Sequence, residues 1–171
     1  SAAAAATAQT TAMESSVPMA VSTCTSETAT GKHVFRIADY HIRKGLGVGE
    51  YIQSATFAIG GYDWRVRYYP NGAIFPECSG YVSVYLELLT RDAKVRADYE
   101  FRLIDSGSTP PPSPVSHLFT NKYNTVDPDD APANYGAPRF MKQQEIKPYL
   151  RDDCLEIECE VLVINAITKL E

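Results

Sequence analysis

The chain has 171 residues, a length suited to one domain, and its 44% apolar content is ordinary for a globular core. A formal net charge of -5 with no long Lys/Arg block argues against a nucleic-acid partner. No apolar run approaches the roughly 20 residues of a membrane-spanning helix, so no membrane partner is expected either.

Residues Ser1 to Gly31 are rich in Ala, Ser and Thr, contain no Lys or Arg, and show no sustained helical or strand period. They read as a disordered tail, because such low complexity buries too little apolar area to offset chain entropy. A secretory leader would need a basic start and an apolar stretch, and a transit peptide would be rich in Arg; neither pattern is present.

Order is expected from about His33, with a short strand over Val34–Ala38. The glycines in Gly45-Leu46-Gly47-Val48-Gly49 have the wrong spacing for a phosphate-binding loop and lead into a strand rather than a helix. They read as permissive residues at a sharp turn. From Tyr51 to Gly72 two strand-like runs meet at Gly60-Gly61 and end in Pro70-Asn71-Gly72, the pattern of a β-hairpin. Trp64, Val66 and Tyr68 share one face and Asp63, Arg65 and Arg67 the other, so Trp64 and Phe57 are expected to fill the core.

A strand over Tyr81–Leu89 follows, with Val82, Val84, Leu86 and Leu88 on one face. Tyr81, Ser83, Tyr85 and Glu87 lie on the other, where the two tyrosines either pack under a loop or remain available for recognition. Val95–Ile104 is another two-faced strand. Pro110, Pro111, Pro112 and Pro114 break regular structure, and a short strand around Val115–Thr120 precedes a long acidic, proline-laden loop from Asn121 to Pro138. The run from Phe140 to Leu150 suggests a short helical turn, and Cys154–Ile164 a final strand with Leu155, Ile157, Cys159, Val161 and Val163 on its apolar face. Seven or so strands without long intervening helices favour an antiparallel β-sandwich, with a jelly roll as the nearest rival.

Catalysis finds little support. The only histidines are His33, His41 and His117, and there is no HExxH motif, CxxC pair or nucleophile elbow. The adjacent acids Asp129-Asp130 and Asp152-Asp153 read as solvated or capping residues. Cys24, Cys78, Cys154 and Cys159 lack metal-ligand spacing, and the last two fall on opposite faces of one strand. No disulfide framework, metal or cofactor is expected, and a reducing compartment is. Exposed tyrosine, with a large apolar face and a hydroxyl, suits peptide recognition better than chemistry.

The blocks YIQSATFAIGGYDW, GYVSVYLELL, KVRADYEFRLID and DDCLEIECEVLVI, in that order, resemble a MATH (TRAF-like) domain, in particular that of plant MATH-BTB proteins. The resemblance sets a MATH domain over residues 32–165, with 166–171 opening a linker toward a BTB domain absent from this chain. It implies an all-β antiparallel sandwich of about eight strands and a shallow groove for short extended Ser/Thr-rich peptides. It also implies a non-enzymatic role selecting substrate proteins for a cullin RING ubiquitin ligase, with the cullin reached only through the BTB domain, in the nucleus or cytoplasm. A MATH-only interaction or self-association module is the alternative.

Carried across by block, the groove positions fall at Tyr85, Tyr99, His117, Phe119, Tyr135 and Gly136. The chain departs from the family's aromatic-Gly-aromatic signature at Ala137, and has Ala133-Asn134 in place of a Lys-Asp pair. Loss of one aromatic wall would cost on the order of 1 to 3 kcal/mol of binding and change ligand preference. Met13-Glu14-Ser15-Ser16 matches four positions of the family's five-residue ligand pattern, which raises self-occupancy of the groove by the tail.

Overall fold

Alternation of apolar and polar residues dominates this chain, and strands dominate its structure. The computed structural model describes residues 16–104, 116–127, 129 and 133–170. Pro110–Pro114 and nearly all of the Met13–Ser16 match lie outside them. Nine strands are described: β1 (Ser22–Ile37), β2 (Ile52–Gln53), β3 (Phe57–Ile59), β4 (Tyr62–Tyr69), β5 (Tyr81–Leu88), β6 (Lys94–Leu103), β7 (Ser116–Asn124), β8 (Asn134–Lys142) and β9 (Leu155–Leu170). A one-turn helix, α1 (Tyr40–Arg43), follows β1. By contact the chain divides into Thr28–Asn165, which carries the sandwich, and a second unit of Ser1–Glu27 with Ala166–Glu171, whose described part is the start of β1 and the end of β9.

One sheet has the order β1-β9-β6-β7; the other runs β2-β4-β5-β8, with β3 also paired to β4. Every cross-strand pairing registered between named strands is antiparallel. The expected hairpin forms around Gly60 and Gly61, whose φ values of 65° and 81° suit the two central positions of a tight turn. It pairs Phe57 with Trp64 and Ile59 with Tyr62. Trp64 is wholly buried and donates its indole N–H to the Ile59 carbonyl at 3.2 Å. Phe57 is only partly buried and stacks on His33, with ring centroids 4.3 Å apart.

Val82, Val84, Leu86 and Leu88 of β5 face Phe101, Leu103, Ile157, Cys159 and Val161 of the opposite sheet in one fully buried core. Complete burial of such side chains stabilises by about 1.5 to 3 kcal/mol each. All four cysteines are free, and Cys159 is the small buried hydrophobe its strand parity indicates.

Three elements differ from expectation. β1 begins at Ser22 rather than near Val34, because alternating Thr and Ser residues support extended structure and β9 supplies a pairing partner. The long loop to Pro138 is shorter: β7 runs to Asn124, and Asn134–Lys142 forms β8. Pro138 is compatible with β8 because this strand lies at the sheet edge, where a missing N–H costs no ladder bond. The expected helical turn resolves into two short 3-10 turns, Gln143–Glu145 and Lys147–Tyr149.

Candidate peptide-binding face

The six expected groove residues separate into two groups around β8. In the first, Tyr85 of β5 stands opposite Gly136 of β8 and Arg67 of β4, so these three form one rung on the outer face of the five-stranded sheet. Tyr85 is partly buried, meeting Tyr69 edge-on at 5.5 Å. Burial, with minor contributions from Cys78, Tyr69 and Glu77, pushes its phenol up to about 12. At neutral pH the ring therefore presents a neutral hydroxyl. Gly136 admits no side chain: a Cβ there would lie 2.2 Å from the Val84 carbonyl oxygen and 2.6 Å from Tyr85 Cα.

The second group lies along the mouth of the sandwich, where the edge strands β7 and β8 approach. Tyr135 pairs in register with Leu86, so it points to the inner side of its sheet, but at this edge it stays 39% exposed. Its ring meets Tyr123 edge-on at 5.0 Å. His117 stacks on Phe119 at 6.0 Å, and its Nε2 lies 3.2 Å from the Phe140 carbonyl oxygen. Phe119 stacks in turn on Tyr99 at 5.3 Å.

Tyr99 is the correction. Expected in the groove, it is 1% exposed, because strand parity aligns it with Ala97 and Phe101 on the interior of β6. Its hydroxyl donates to Asn121 Oδ1 at 2.6 Å, and burial raises its pKa. Tyr99 supports Phe119 from below and offers no surface to a ligand. Ala137 also points inward, opposite Val84, and is buried.

Sequence reasoning missed the next rung of the outer face, Arg65–Glu87–Asn134. Glu87 is fully buried, held in ion pairs from β4 by Arg65 at Oε1 and Arg67 at Oε2. Arg67 also lies over the Tyr51 ring, 4.4 Å from its centroid. The alternation of charges along β4 was visible, but only the β4–β5 register shows that both arginines flank one carboxylate. Asn134 Oδ1 is buried without a hydrogen-bond partner.

Among the described residues no group of three or more His, Cys, Asp or Glu side chains is placed to hold a metal ion, and no helix is long and apolar enough to cross a membrane. What the face offers is an exposed aromatic, a bare stretch of edge backbone and a short polar rung.

The profile of the MATH domain family matches residues 32–161. The chain belongs to the MATH domain family. This MATH domain is similar to BTB/POZ and MATH domain-containing protein 3 of Arabidopsis thaliana, at 35% identity over 164 residues, covering 90% of this chain and 38% of the relative. It is also similar to BTB/POZ and MATH domain-containing protein 4 of the same plant, at 34% identity over 159 residues, covering 87% of this chain and 33% of that one. The chain thus spans less than two fifths of the length of these relatives, and what it shares with them is the MATH part.

Proposed function

We propose that this MATH domain is the substrate-recognition module of an adaptor for a cullin RING ubiquitin ligase, binding short extended Ser/Thr-rich segments of substrate proteins in the nucleus or cytoplasm. The observation that carries the reading is the strip in which Tyr85 faces bare Gly136 and Tyr135 follows on the same edge strand. An extended peptide laid along it meets aromatic surface on both sides of β8 and backbone groups between them, the combination that peptide-binding sheets use. The kinship with proteins named for BTB/POZ and MATH domains supports the adaptor role. In this proposal the BTB part of a longer protein engages the cullin, and the MATH domain chooses the substrate.

The test is a peptide array covering Ser/Thr-rich segments, probed with the chain and with its Tyr85→Ala and Tyr135→Ala variants. Each variant should weaken capture about tenfold while remaining folded. Co-precipitation of the complete protein with a cullin tests the adaptor half. Unchanged capture by both variants would place the ligand elsewhere, and a complete protein that ignores every cullin would remove the ligase connection.

A further inference from the structure

The apolar side chains exposed beside Tyr85 are held by a rigid backbone. In the loop between β4 and β5, Ile74 is 76% and Phe75 55% exposed, although both are large hydrophobes. The loop is nevertheless pinned. Ala73 N–H donates to Ser83 Oγ at 3.0 Å, Gly49 N–H to the Gly72 carbonyl at 2.9 Å, and Cys78 N–H to the Phe75 carbonyl at 2.9 Å. Gly72 has φ of 79°, and a Cβ there would lie 2.6 Å from the Cys78 carbonyl oxygen, so the loop path depends on glycine. Ile74 and Phe75, with Tyr69 and Tyr85, wall a cavity of about 370 Å3 that reaches Asn134 of β8.

The charges that flank this cavity along the strip differ in sign from end to end. At the apolar end the exposed Glu77 carboxylate lies close enough to help raise the Tyr85 phenol. Beyond the lining, opposite Tyr85 and Glu87 on β4, Arg67 and Arg65 oppose the single carboxylate of Glu87, leaving one net positive charge on side chains 17% and 23% exposed. Asn134, which lines the cavity and stands on the Arg65–Glu87 rung at the arginine end, brings a carboxamide, the group type that pairs with a main-chain peptide. Alternate residues of an extended chain repeat about every 7 Å, the spacing from the Tyr85 rung to the Glu87 rung.

We infer that this cavity is a specificity subsite of the proposed groove, taking a bulky nonpolar side chain of an extended peptide whose acidic residue, two or four positions away, lies over Arg65 and Arg67. The inference rests on the peptide-binding reading and narrows it to a ligand class: nonpolar at the loop end, acidic at the arginine end, main chain on Asn134. Glu77 sets the polarity by repelling the acid from the loop end.

The experiment selects random twelve-residue peptides on a display library with the chain, then measures one enriched peptide by fluorescence anisotropy. The expected result is a Leu, Ile, Met or Phe enriched two or four positions from Asp or Glu. The variant Ile74→Ser/Phe75→Ser, folded by circular dichroism because both side chains are exposed, should bind at least tenfold more weakly. Replacing the acid in the peptide by its amide should weaken binding about two- to fivefold. Capture lost in Tyr85→Ala but retained by the loop variant would overturn the subsite and leave the groove standing. A library that enriches nothing would remove the groove reading itself, and the subsite with it. A chain that sediments as a dimer, broken by the loop variant, would make the occupant a second copy and overturn the inference.

Discussion

Tyr85 and Gly136 are partners across the β5–β8 ladder, and the backbone around Val84 and Tyr85 comes so close to Gly136 that the space of a single methyl group is already taken. Gly136→Ala should therefore push β8 off β5 and cost about 1 to 3 kcal/mol, the range for overpacking. The midpoint of urea unfolding measures it. An unshifted midpoint would mean that β8 yields at no cost.

Glu87 is buried between two arginines, and removing one partner of such a group leaves charge uncompensated. Glu87→Ala should destabilise the domain by about 3 kcal/mol or more. Replacing all three charges by apolar residues of similar volume should recover much of that loss, because the desolvation cost disappears with the charges. Chemical denaturation of the single and triple variants distinguishes a net attraction from a matched set of penalties.

Asp153 accepts the His41 backbone N–H at 3.0 Å and contacts the imidazole, and these interactions hold its carboxyl below the usual carboxylate range. A depressed folded value makes the contribution present above the ordinary pKa of about 3.9 and lost as pH falls through the lower folded value. Asp153→Asn suits the test because φ at this position is 58°, in the left-handed region that Asn also tolerates. The variant should be less stable than the parent above about pH 5, and the two unfolding curves should converge in stronger acid. A constant gap down to the lowest pH would show that the carboxylate's charge plays no part.

Thiol labelling should follow burial. Cys24 is exposed and should react first; Cys154 is partly exposed, with burial and Glu156 raising its pKa, and should react more slowly. Cys78 and Cys159 should react only on unfolding, since both are fully buried and burial raises the Cys159 thiol strongly. Early labelling of Cys159 would indicate opening of the β6–β9 ladder.

Much of the sandwich was legible because its strands are two-faced. Trp64, Val66 and Tyr68, or the apolar face of β9, declare their orientation through a period of two. β8 was illegible for the opposite reason: Asn134 to Pro138 has no run of alternation and contains a proline, and only its position at the sheet edge makes a strand there acceptable. The site was half legible. The aromatics of β5, β7 and β8 could be placed along the chain, and the period of β6 already sets Tyr99 on its apolar face, but the Arg65–Glu87–Arg67 set depends on a register that no local pattern specifies.

Ser83 is a buried hydroxyl that accepts the Ala73 N–H and donates to the Pro138 carbonyl at 2.6 Å. One small side chain thereby fastens the loop to the edge strand. The division of labour makes the face modular: Gly72, Ser83 and Gly136 fix the path of the chain, while Ile74 and Phe75 contribute little to that path and can be exchanged. A domain built this way can acquire a new ligand by changing two side chains, with its scaffold left as it was.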